Sequence, residues 1–144
     1  MEAAGIEVVL VHELPLSTLS YDSAARAVAN SGADYLWFVA DVNGEASMAQ
    51  SMADTGYELR FAEYYNFPYG TNFTELAGDA AEGTVAFLRS LPNEEAASNP
   101  EMTAFVQWMG DVAPGEDLDP FAVDSWVSAK LFFDTLESLP GAIT

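Results

Sequence analysis

DYLWFVADVNGEASMAQSMADTG, residues 34–56, is the stretch whose reading decides the fold. Its first part, DYLWFVAD (34–41), is a near-continuous apolar run, the pattern of a buried strand in a parallel sheet. Val42-Asn43-Gly44 closes that run. GEASMAQSMADTG (44–56) then switches to helical spacing, with Met48, Met52 and Thr55 on one face and Gly56 as the stop. The same unit recurs upstream. GIEVVLVHEL (5–14) reads as a buried strand, and STLSYDSAARAVANSG (17–32) as a helix capped by Ser20 or Asp22, with Ala25, Val28 and Ala29 on one face and Gly32 at its end. Downstream, the partial alternation of YELRFAEYYN (57–66) predicts a third, more exposed strand. This rhythm predicts an α/β fold: a parallel, Rossmann-like sheet with flanking helices and right-handed crossovers. In such a sheet ligands bind beyond the carboxyl ends of the strands, here His12–Leu14, Ala40–Asn43 and Tyr64–Phe67.

The pattern changes further on. FPYGTNFTELAGDAA (67–81) is rich in turn residues and reads as an irregular connection. EGTVAFLRS (82–90) predicts a fourth strand and LPNEEAAS (91–98) a polar loop. Asn99-Pro100-Glu101 opens a helix with a cap, a proline at the first helical position and an acid near the positive end. Phe105, Trp108 and Met109 supply its apolar side. Asp119-Pro120 opens another helix, on which Ala122, Trp126, Ala129, Phe133 and Leu136 recur at helical spacing and predict a wide buried face. The clearest boundary falls near residues 80–92, between alternating strands and helices and two consecutive helices.

Charge narrows the functional classes. Against 23 Asp and Glu stand only Arg26, Arg60, Arg89 and Lys130, a formal net charge of −19. Such a field repels phosphate backbones and anionic lipid, which argues against nucleic acid or a membrane surface as partner. Most of these acids are read as solvated surface. At 50% hydrophobic residues the chain has enough apolar material to build a core. No apolar run is long enough to span a bilayer. The first residues, Met1-Glu2-Ala3-Ala4-Gly5, lack the pattern of a secretory signal, so either the chain is cytoplasmic or its true beginning lies upstream.

The chain has no cysteine and a single histidine, His12. Thiolate nucleophiles, Cys-ligated zinc and His-rich metal sites therefore lack their parts, and neither a metal nor a cofactor is expected. Asp41-Val42-Asn43-Gly44 begins like a calcium loop, but the glycine comes too early and the bidentate acid is missing; it reads as a turn. Asn72-Phe73-Thr74 is a formal glycosylation sequon of little specificity. No glycine-rich phosphate loop follows the first strand. Pairs such as Glu94 and Glu95, or Asp117 and Asp119, say little in a chain with 23 acids.

Four phrases, taken in order, resemble a known family. YDSAARAVANSGADYLWFVAD (21–41), AAEGTVAFLRSLP (80–92), NPEMTAFVQWMG (99–110) and FAVDSWVSAKLFFDTLESLPGAIT (121–144) are similar to the second half of type I extracytoplasmic solute-binding proteins. Within that family the resemblance is to the branched-chain amino-acid-binding group that feeds ABC importers. It implies two α/β lobes joined by crossing strands, with a solute trapped between them. Residues 3–80 would be a partial second lobe. Residues 81–144 would hold the crossing strand and helices packing on the first lobe. The chain would then be a fragment of a longer protein, incomplete in its cleft.

The resemblance also implies a site. Glu82, in the Ala-Glu-Gly phrase, would pair with a ligand ammonium group, and Gly83 would contribute its backbone. Asp41 would stand where amino-acid binders often present an aromatic residue. Two acids facing one cleft would favour a cationic solute such as an amine, amide or basic amino acid. The implied function is solute binding without catalysis, with an ABC permease as partner and an extracytoplasmic location for the full-length protein. A ligand-sensing regulatory domain of the same fold is the alternative, followed by a carboxylate-based α/β enzyme.

Overall fold

A computed structural model describes residues 5–15, 18–65, 68–69 and 72–141. The chain divides into two compact units, Met1–Phe87 and Leu88–Thr144. The division falls after the strand expected to cross between regions, because that strand is hydrogen-bonded into the sheet of the first unit.

In the first unit the elements run α1 (Asp22–Ser31), β1 (Tyr35–Phe38), α2 (Val42–Thr55), β2 (Phe61–Tyr64), α3 (Phe73–Ala77), a 3-10 turn (Gly78–Ala81) and β3 (Thr84–Ala86). The strands form one sheet in the order β1-β2-β3, and both pairings are parallel. Tyr35 lies opposite Phe61 and Phe38 opposite Tyr64, while Ala62 and Tyr64 face Thr84 and Ala86 on the other side. Alternation along the strands sends Leu36, Phe38, Ala62 and Tyr64 to one face. There they pack with Ala25 and Val28 of α1, Met48, Ala49 and Met52 of α2, and Phe73 and Ala77 of α3.

Within this unit no described helix packs on the opposite face. Trp37 is 55% exposed, and Phe61 and Val85 are exposed beside it. DYLWFVAD is therefore covered on one side rather than both, because α1, α2 and α3 all pack on the same face.

A second departure concerns GIEVVLVHEL. Residues 5–14 join no ladder, and their side chains stay largely in solvent, Val11 at 78%. A β-branched run favours extended backbone, but a strand exists only where a neighbour takes its hydrogen bonds. No neighbour does so here among the described residues. The expected strand end at His12–Leu14 therefore does not form.

Local signals fare better. Gly32 and Gly56 end α1 and α2 with left-handed backbone, at φ 72° and 67°. The supposed turn Val42-Asn43-Gly44 is instead the first turn of α2. Between β2 and β3 the expected irregular connection contains α3 and the 3-10 turn, anchored by the fully buried Phe73. Phe67, at the predicted end of the third strand, lies outside the described residues.

The second unit holds a 3-10 helix (Asn93–Ser98) where a polar loop is expected, then α4 (Pro100–Val112) and α5 (Pro120–Ser138). Both α-helices open as the sequence indicates. Asn99 Oδ1 accepts from the N–H groups of Glu101 and Met102 at 2.9 and 3.2 Å, and Asp119 Oδ1 from Ala122 N–H at 2.8 Å. Ala96, Met102, Phe105 and Val123 make a small core, with Trp126 packed against it. The Phe105 and Trp126 rings meet edge to face, 5.9 Å between centroids. The wide buried face expected on α5 is realised only near its start. Ala129 is exposed and Phe133 is 60% exposed, although Lys130 between them pairs with Glu101 of α4 at 3.6 Å.

Candidate functional site

The carboxyl ends of β1 and β2 lead into residues 39–45 and 65–69. The first of these segments is controlled by Asp41. Its backbone is extended, and its Oδ1 accepts the Gly44 N–H at 2.7 Å, satisfying one of the free donors at the start of α2. The cap explains why an acid stands here rather than an aromatic residue. Asp41 itself is exposed, so its carboxylate stays in contact with solvent while capping.

Tight packing sits directly behind it. A Cβ at Gly44 would come within 2.6 Å of Tyr21 Oη and 2.7 Å of Ala40 Cβ, so only glycine fits without displacing a neighbour. The Tyr21 ring meets Phe38 edge to face at 5.5 Å, and Phe38 in turn meets Tyr64 at 6.2 Å. Burial, and the nearby Asp41 carboxylate, push the Tyr21 hydroxyl pKa up. On the open face of the sheet, Tyr35 Oη donates to Glu63 Oε2 at 2.5 Å; its pKa is pushed up to about 12 by burial first and this hydrogen bond second.

Sequence reasoning overlooks Glu45. This acid is fully buried, at 0% exposure, in the first turn of α2. Its Oε1 accepts the Ala40 N–H at 3.4 Å. The Tyr65 N–H, bonded to Phe38 O at 3.2 Å, also lies within reach of the carboxyl group. Its Oε2 is buried and makes no hydrogen bond among the described residues. Burial raises the Glu45 pKa to about 7; the Ala40 and Tyr65 N–H groups work against that shift and the Asp41 charge adds to it. The signal is present in the sequence: Glu45, Met48, Ala49 and Met52 follow the i, i+3, i+4, i+7 spacing of a buried helical face. An acid at such a position is easy to discount among so many surface acids.

The sheet does not bring the candidate site residues together. Glu82 follows the 3-10 turn with its N–H donating to Asp79 O at 3.3 Å, and Gly83 adopts φ 75° before β3 begins. Both are exposed. They stand at the amino end of β3, whereas Asp41 follows the carboxyl end of β1. Since the strands are parallel, these are opposite ends of the sheet. The expected pair of acids facing one cleft is thus not formed within this unit.

A parallel sheet with helices between its strands and polar groups at its carboxyl ends defines an α/β ligand-binding architecture. The sequence profile of the family described as "Periplasmic binding protein" matches residues 1–144. The chain belongs to the periplasmic binding protein family, which assigns it a solute-binding role and implies an extracytoplasmic location. Proteins of this family are typically not enzymes. No curated protein and no solved structure matches the chain significantly. Among the described residues no helix is long and apolar enough to cross a membrane.

Proposed function

We propose that the protein binds a small amphipathic solute bearing an ammonium group, an amino acid or a related amine or amide, for delivery to the permease of an ABC importer. The observation that carries this reading is the chemistry at the strand carboxyl ends. Residues 39–45 and 64–69 include the acids Asp41 and Glu45 and the aromatic residues Tyr65 and Tyr69, and no Arg or Lys. A carboxylate and electron-rich ring faces attract a cation, while these segments hold no Arg or Lys to pair with an anion. Asp41 is the ammonium partner in this reading, with its capping bond fixing the carboxylate in place.

Calorimetric titration of the protein with arginine, putrescine and leucine tests it. The cationic solutes are expected to bind at least tenfold more tightly than leucine, and Asp41→Asn to reduce that preference. Leucine binding more tightly than arginine and putrescine would overturn the cationic preference, and none of the three binding would overturn the reading.

A further inference from the structure

Glu45 sits where three pieces of backbone meet: the first turn of α2, the residues after β1 and the residues after β2. We propose that Glu45 is a proton-controlled latch for the strand-end surface, holding the backbone at Ala40 and Tyr65 against α2 when neutral and releasing it when ionised. The proposal concerns how this surface is held, whatever solute occupies it.

The geometry supplies the reason. Glu45 is fully buried, one oxygen meets the Ala40 N–H, and the other has no hydrogen-bond partner among the described residues. A neutral carboxyl leaves one weak donor or acceptor unmet, which folded proteins tolerate at modest cost. An ionised carboxylate leaves a charged oxygen unsolvated, which they do not. The Ala40 and Tyr65 N–H groups favour the ionised form, but burial outweighs them and the titratable side chains facing it add nothing in its favour. Asp41, at the cap of the same helix, is another acid; Tyr64 on β2 has its own pKa raised by burial and by the Glu45 charge; and Tyr21 lies behind Gly44 beside Asp41. None of these is a cation, so among the described residues nothing pairs with the second oxygen of an ionised Glu45, and water would have to satisfy it. The nearest route is parting the backbone at Ala40 and Tyr65 from α2.

Amide hydrogen exchange at single-residue resolution, with intrinsic rates divided out, reads the latch directly. With a carboxyl pKa of about 7 when closed and an ordinary 4.5 when open, opening becomes about tenfold more frequent between pH 6 and pH 8. Protection of the Ala40 and Tyr65 amides is expected to fall about tenfold over that interval. The fall should be insensitive to low urea, as a local opening requires, and absent in Glu45→Gln, which cannot ionise. Unchanged protection in the wild-type protein overturns the proposal. So does an equal fall in Glu45→Gln, or a strongly urea-dependent fall shared with the amides of α1 and α2. Should Glu45→Gln fail to fold, the wild-type pH and urea comparison decides alone.

Discussion

In the first unit, three helices close over one face of a sheet and seal Tyr64, Phe73, Met48 and Glu45 between them. In the second unit, two long helices and a 3-10 helix meet, and among the described residues there only Phe105 is a large side chain sealed to that degree. Both units contain long apolar stretches, so composition does not account for the difference. A sheet presents a broad surface on which several helices can lie side by side, whereas a helix offers a stripe that is buried only where another element crosses it. The first unit is therefore expected to behave as a cooperative core and the second as a shallow one.

The largest effect that could break this comparison comes from emptying the two cores. Phe73→Ala should cost roughly 3–5 kcal/mol, the range for removing a fully buried phenyl ring. Phe105→Ala removes a ring of the same size from a much smaller cluster and should melt the second unit outright. A urea titration followed through assigned amide signals of each unit measures both. Equal, modest losses in the two units would mean that they share one core.

The pH dependence of the first unit should be nearly as large. Glu45 has its pKa raised from an ordinary 4.5 to about 7 by burial. An acid shifted upward favours folding while it is protonated, so its contribution is complete below about pH 4.5, declines as pH rises, and is gone above about pH 7. The difference is of order 3 kcal/mol. Thermal unfolding at pH 5.5 and pH 8 should show the first unit losing stability at the higher pH, and Glu45→Gln flattening the profile between them. A first unit that is more stable at pH 8 than at pH 5.5 would contradict the burial of this group.

Capping contributes less and separates chemistry from structure. Asp41→Ala, Asn99→Ala and Asp119→Ala should each cost about 1 kcal/mol through a lost N-cap. Asp41→Asn keeps an oxygen for the Gly44 N–H and should leave stability almost unchanged, while weakening the binding of a cationic solute. If Asp41→Asn leaves the affinity unaltered, the residue is a cap and nothing more.

These contrasts track what was legible in the sequence. Asn99, Asp119, Gly32 and Gly56 are readable because capping is settled within a few residues of chain. The parallel β–α–β order is readable because a near-continuous apolar run at β1 gives way to helical spacing at α2. GIEVVLVHEL misleads because pairing depends on a neighbour elsewhere in the chain, which no local pattern supplies. Asp41 and Glu82 are both acids beside glycines, yet one follows a strand and the other precedes one. The parallel register therefore separates residues that sequence alone would place in one site.

The smallest expected effect is also the sharpest probe of the α5 stripe. Val123, near the start of α5, is buried and packs with Phe105 and Met102, so Val123→Ala should destabilise the second unit measurably. Further along the stripe of Ala122 and Trp126, Phe133 lies 60% exposed. Phe133→Ser removes a ring that already stands in water, so the change should stay within about 0.5 kcal/mol of zero. Chemical denaturation of the two variants side by side checks this. A cost for Phe133→Ser matching that of Val123→Ala would show that the helix face is covered in solution, and the contrast between a sealed sheet unit and a shallow helical one would fail at its thinnest point.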